Sequence, residues 1–104
     1  MKKADAKRAA SDPLAGCPEA LKVALAAAFN KKPEHVTVLD LTKKQAFTDY
    51  FAICSGQNAR QVKAIADAID EALRKHDARP THIEGYERSE WVLIDCFDFV
   101  IHVF

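Results

Sequence analysis

The sequence predicts an α/β (α+β) fold: a mixed five-stranded sheet with helices packed on it, in the order α-β-β-α-β-β-β. Three observations carry this expectation. Residues 58 to 76 place Val62, Ile65, Ala66, Ile69, Ala72 and Leu73 at the i, i+3, i+4, i+7 spacing of an amphipathic helix. Runs rich in branched and aromatic side chains, bounded by Gly, Pro and charged turns, recur on both sides of that helix. The stretch from Trp91 to Phe104 is two such runs with a short break between them, as in a hairpin. At 104 residues and 49% hydrophobic content, the chain suits one domain around one core.

In chain order, residues 1 to 16 set Lys2, Lys3, Lys7 and Arg8 against Asp5 and Asp12 with almost no large apolar side chain, so they read as a disordered tail. An organelle-targeting peptide is the other reading, and the two acids speak against it. The domain then occupies residues 17 to 104. A first helix runs from Pro18 to before Pro33, with Leu21, Leu25 and Phe29 as its apolar stripe. Residues 35 to 41 form a strand, and Lys43, Lys44 and Gln45 a polar connection. Tyr50 to Ser55 is apolar on both faces, which suits a strand inside the sheet, and Gly56 stops it. Asn58 and Gln61 have the spacing of a capping box at the start of the second helix. That helix is long enough for a right-handed parallel crossover to a third strand at Pro80 to Ile83, closed by Glu84-Gly85. A charged turn over residues 86 to 90 leads to the final pair of strands.

If Cys96 and Phe97 are the two turn residues of that pair, Asp95 opposes Asp98, Leu93 opposes Val100 and Trp91 opposes His102. Alternation then puts Val92, Ile94, Phe99, Ile101 and Val103 on one wholly apolar face, suited to cover by helices. The other face carries Trp91, Leu93, Asp95, Asp98, Val100 and His102, a mixture of aromatic, apolar and acidic groups of the kind found at protein interfaces. These six residues are the candidate partner-binding set. The plainer reading is that Trp91 covers the sheet and His102 is an ordinary surface histidine. A two-residue primed turn needs positive φ, which Cys and Phe resist, so a different loop would move the register.

Composition narrows the function classes. The 15 Lys and Arg balance 15 Asp and Glu, so no global basic field drives nucleic-acid binding, and no sequence-specific nucleic-acid contact is expected. No window approaches the roughly 18 apolar residues of a membrane span, and the first residues lack the apolar core of a secretory signal, which points to a cytoplasmic protein without membrane contact. Cys17, Cys54 and Cys96 fit neither a disulfide scaffold nor a metal motif and are expected as reduced thiols. His35, His76, His82 and His102 are scattered, with no paired spacing for zinc. Asp40 and Asp49, at strand ends, suit turns or caps. Ser55-Gly56 between a strand and a helix start is the general geometry of an anion site, and with later acids it suggests a nucleotidyltransferase. Asp95 and Asp98 are three apart across a turn, a spacing that does not converge two carboxylates on a metal. No catalytic residue, cofactor or metal is therefore expected; a nucleotide-binding or nucleotidyltransferase-like enzyme is the alternative.

The ordered set Asp40-Leu41, Thr48-Asp49-Tyr50-Phe51, Ser55-Gly56, Arg60-Gln61-Val62, Ala64-Ile65-Ala66, Glu84-Gly85, Trp91 to Asp95 and His102-Val103-Phe104 resembles the ribosomal silencing factor RsfS (Iojap) family. The resemblance covers roughly residues 18 to 104. It implies a non-enzymatic translation repressor that binds the fourteenth protein of the large ribosomal subunit at the intersubunit face and blocks joining of the small subunit. It also implies a nucleotidyltransferase-like sheet without catalytic acids, gives Trp91 the part of an anchor, and leaves a homodimer open. Two departures stand out. Family members usually have Gly in the turn that here reads Cys96-Phe97-Asp98, and they continue past the H-V-F motif, so this chain is expected to lack the family's C-terminal segment.

Overall fold

In a computed structural model, residues 17–44 and 48–104 are described; the expected N-terminal tail lies outside them. The elements are α1 (Glu19–Phe29), β1 (His35–Asp40), β2 (Tyr50–Ser55), α2 (Ala59–Lys75), β3 (His82–Glu84), β4 (Val92–Asp95) and β5 (Phe99–Val103), matching the expected order. The sheet runs β1-β2-β5-β4-β3. Only the β2–β5 pair is parallel, and the β1–β2, β4–β5 and β3–β4 pairs are antiparallel. β2 lies inside the sheet, as its two apolar faces required. β2 and β3 run in the same direction, but β5 and β4 stand between them, so the α2 connection spans the sheet instead of joining neighbours.

Both helices lie on one side. α1 packs on α2, and α2 lies against β4 and β5. Their buried residues join Ala52, Cys54, Val92, Ile94, Ile101 and Val103 in a single core. Val62, Ile65, Ala66, Ile69 and Leu73 form the buried stripe of α2, as its periodicity demanded. On α1 the buried residues are Leu21, Ala24, Leu25 and Ala28, while Phe29 is 54% exposed. The expected stripe through Phe29 drifts off the buried face, because eight residues at about 100° each overshoot two turns by roughly 80°.

The capping interaction is richer than a box. Asn58 Oδ1 accepts from Gln61 N at 2.9 Å, but the Gln61 side chain accepts from Gln57 N at 2.6 Å instead of from Asn58. Its amide also donates to the Lys32 carbonyl at 2.8 Å and the Lys31 carbonyl at 3.2 Å, which ties the start of α2 to the left-handed turn that ends α1. Asp40, at the end of β1, is a turn residue: its Oδ1 accepts from the Thr42 hydroxyl at 2.6 Å and the Thr42 amide at 3.0 Å, which lowers its pKa.

The hairpin register differs from the expected one by two residues. Val92 opposes Val103, Leu93 opposes His102, Ile94 opposes Ile101 and Asp95 opposes Val100, with Cys96 N donating to the Phe99 carbonyl at 2.8 Å. The loop is therefore Phe97-Asp98, and neither residue has positive φ, so it is not a primed turn. An even shift leaves every residue on its face, and the face assignment survives the wrong turn.

Two truncations should separate packing from tethering. Ile94→Ala, at a site with no exposed surface, should lower the unfolding free energy by about 2 to 5 kcal/mol in urea titrations. Gln61→Ala, which breaks bonds at the surface, should cost only about 1 to 2 kcal/mol.

Candidate functional site

The face opposite the helices has no covering element among the described residues. Pairing places Leu39 of β1, Phe51 and Ile53 of β2, Val100 and His102 of β5, and Leu93 of β4 on it. The centre covers itself in part: Val100 is only 3% exposed although it does not belong to the core on the helix side. Toward one end of the hairpin the aromatic rings gather. The His102 imidazole stacks on Phe51 with centroids 4.5 Å apart, and Trp91 stacks on Phe104 at 5.4 Å. Trp91 meets His102 edge-on at 5.7 Å and donates its indole N–H to His102 Nδ1 at 2.6 Å. An indole can only donate, so Nδ1 must carry a lone pair, and burial lowers the imidazole pKa in the direction that keeps it neutral.

Trp91 itself stands just before β4 and is 59% exposed, far more than its stacked neighbours require. Gly85 sets its backbone. Gly85 has φ +77°, and a Cβ there would lie 2.1 Å from the Trp91 carbonyl oxygen. The same turn is closed by Ser89 N donating to the Gly85 carbonyl and Ser89 Oγ to the Tyr86 carbonyl at 2.8 Å, with Ser89 also left-handed at φ +57°. Tyr86 fastens the loop to α2 by donating its hydroxyl to Asp67 Oδ1 at 2.6 Å, beneath the Lys63 ammonium. A shallow hollow of about 560 Å³ lies between this loop and α2, where Asp67 accepts from Tyr86 and Asp70 from Arg74.

Of the six candidate residues, Leu93, Asp95, Val100 and His102 share the open face and Trp91 borders it. Asp98 lies in the loop at the far end of the hairpin from Trp91, where its carbonyl accepts from Asp49 N and Tyr50 N. The set is thus a strip along the hairpin, with aromatic groups at one end and acids at the other. Residue-level reading missed Phe51, which supports His102, and Phe104, which opposes Trp91 once the register is corrected. It also missed Phe97, which is 90% exposed at the loop tip. No open-face strand position is Lys or Arg; Asp95 and Glu84 stand there with His35, His82 and His102, and Glu84 Oε2 lies 2.7 Å from His82 Nε2.

At the Ser55-Gly56 turn the Ser55 hydroxyl is buried without a hydrogen-bond partner among the described residues, while the neighbouring amides are engaged. In the Ser55-Gly56 turn, Gly56 N donates to the Phe104 carbonyl and Gln57 N to Gln61, so amides that would hold an anion serve the fold. Burial pushes the Cys54 and Cys96 thiols up to about 12, which disfavours the reactive thiolate. Among the described residues no group of three His, Cys, Asp or Glu is placed to hold a metal, and no helix is long and apolar enough to cross a membrane.

A small α/β domain with helices on one side of a mixed sheet, and an apolar and aromatic face without Lys or Arg at its strand positions on the other, is the class of protein these observations define. Comparison gives the class a family: the profile described as "Ribosomal silencing factor during starvation" matches residues 15–104, and the chain belongs to that family. It is 38% identical over 86 residues to the ribosomal silencing factor RsfS of Halalkalibacterium halodurans, covering 83% of this chain and 74% of the relative. It is 38% identical over 84 residues to that of Bacillus subtilis, covering 81% and 71%. A crystal structure of a protein from Chromobacterium violaceum superposes with a TM-score of 0.78 at 33% identity, covering 82% of this chain and 71% of that one.

Gly85→Ala should force the Trp91 backbone to move. A thermal or urea unfolding measurement should show a loss of about 2 kcal/mol or more, from left-handed strain plus the backbone contact. A loss no larger than that of an ordinary surface substitution would contradict the placement of Gly85 against Trp91.

Proposed function

We propose that this protein is a non-enzymatic translation repressor of the cytoplasm, which binds the large ribosomal subunit through its fourteenth ribosomal protein and sterically blocks joining of the small subunit. Membership of the silencing-factor family supports the ribosomal target. The observation that carries the docking reading is the open sheet face: an apolar and aromatic centre, an exposed tryptophan at its edge, and carboxylates with no Lys or Arg at a strand position. Such a surface repels phosphate and suits a basic protein patch, so it favours a ribosomal protein over ribosomal RNA as the contact. Trp91 is the anchor, Leu93 and Val100 extend the apolar centre, and Asp95 and Asp98 form the acidic end. A second copy of the chain is a competing occupant of the same face.

Sedimentation with isolated large subunits should show co-migration, and excess protein should reduce assembly of the two subunits into whole ribosomes. If the protein neither co-migrates with large subunits nor reduces their assembly, the proposal fails. Trp91→Ala should weaken large-subunit binding by about 30-fold, equivalent to about 2 kcal/mol, as for an interface hot spot. Its unfolding midpoint should stay near that of the parent protein, because Trp91 is mostly exposed. Unfolding as severe as that of Ile94→Ala would instead assign Trp91 to the core.

A further inference from the structure

We propose that His102 is a positioning residue for docking: it holds Trp91 in its binding pose by accepting the indole N–H, so protonation of His102 releases Trp91 and weakens docking in acid. This rests on the reading of the open face as the docking surface and adds its regulation.

The geometry makes the dependence nearly obligatory. Trp91 lies outside β4 and lacks the ladder bonds that fix a strand residue. Its ring is held by the stack on Phe104 and by the 2.6 Å bond to His102 Nδ1. The imidazole cannot turn aside freely, since it is stacked on Phe51 at an interplanar angle of 23°. In the neutral ring Nδ1 offers a lone pair to the indole and Nε2 carries the proton. In the imidazolium both nitrogens carry protons, and an N–H would face an N–H where the hydrogen bond had been. The attraction is lost and the indole must move.

The surroundings favour the neutral ring. On β2 it faces Phe51 and Ile53, on β4 Leu93, and just before β4 Trp91. The charged or titratable groups of the same face are farther off: Asp95 two positions along β4, Glu84 and His82 on β3, and His35 on the β1 edge. β5 contributes no other titratable side chain to this face, and no Lys or Arg stands at a strand position on it. Burial outweighs the acids and sets the imidazole below its ordinary 6.5. The sign follows: the Trp91–His102 bond is intact at neutral pH and is lost as pH falls through the lowered value.

Trp91 is the one tryptophan of the chain, so its fluorescence reports its own release. The free protein should show one fluorescence transition with a midpoint below 6.5, the ordinary histidine value. His102→Asn, which keeps an acceptor near Nδ1 but cannot be protonated there, should abolish that transition while remaining folded by circular dichroism. Affinity of the parent protein for isolated large subunits should then fall with the same midpoint, by about tenfold one pH unit below it, because only about a tenth of the protein retains the competent pose. A fluorescence transition that persists in His102→Asn, or an affinity that does not follow the Trp91 midpoint, overturns the gate. Absence of binding at neutral pH overturns the docking reading and the gate with it.

Discussion

The constraint on which the rest of the described structure depends is that its two helices cover only one side of the sheet. A helix is needed where the chain must cross over the sheet, and antiparallel neighbours need only short loops. Here β1–β2, β3–β4 and β4–β5 are all antiparallel, so the one obligatory long connection is α2, between β2 and β3. α1 packs beside α2 on the same side, and no element among the described residues covers the other. That side must therefore satisfy its apolar strand positions by contact among themselves, or with a partner. Val100 shows the first solution, nearly sealed by its neighbours, and Trp91 the second, left more than half in solvent.

Two unusual backbone positions serve this exposed residue more than they serve the core. Gly85 and Ser89, both left-handed, fold the β3–β4 connection into a tight turn that returns the chain directly beneath Trp91. Left-handed residues cost of order 1 to 2 kcal/mol when they carry a side chain. A loop without them could join two antiparallel strands, but it could not bring the Trp91 carbonyl to within a Cβ radius of Gly85. The Tyr86–Asp67 bond then fixes the same loop to α2, so the position of Trp91 is referred to the rigid core through a short chain of contacts.

What the sequence made legible follows the range of each interaction. Helix α2, its buried stripe and the alternation of the hairpin faces depend on neighbours within a few positions, and each was readable. The hairpin register was not, because it hangs on which two residues form the loop. Cys96 has a strand role and a buried thiol, and Phe97-Asp98 turns without positive φ, so the expected Cys96-Phe97 loop failed while the faces held. Strand order was invisible for a different reason. The insertion of β5 between β2 and β4 is a non-local pairing across more than forty residues, with no local signature. The second use of Gln61 is the same case: its spacing from Asn58 is readable, but its bonds to Lys31 and Lys32 join positions about thirty apart.

Charge placement gives the open face its direction. The chain as a whole is neutral, so long-range attraction to RNA cannot be what brings it to a ribosome. What matters is the distribution: Arg60, Lys63, Arg74 and Lys75 belong to α2, on the helix side, while the open face carries Asp95 and Glu84 with no Lys or Arg among its strand positions. Under the docking proposed above, a molecule charged in this way would turn its open face from phosphate toward a basic protein surface. The apolar centre then supplies the affinity that neutrality withholds. Acids at the rim and aromatic groups within are two halves of one selection, the first excluding RNA and the second rewarding a protein surface that can bury the indole.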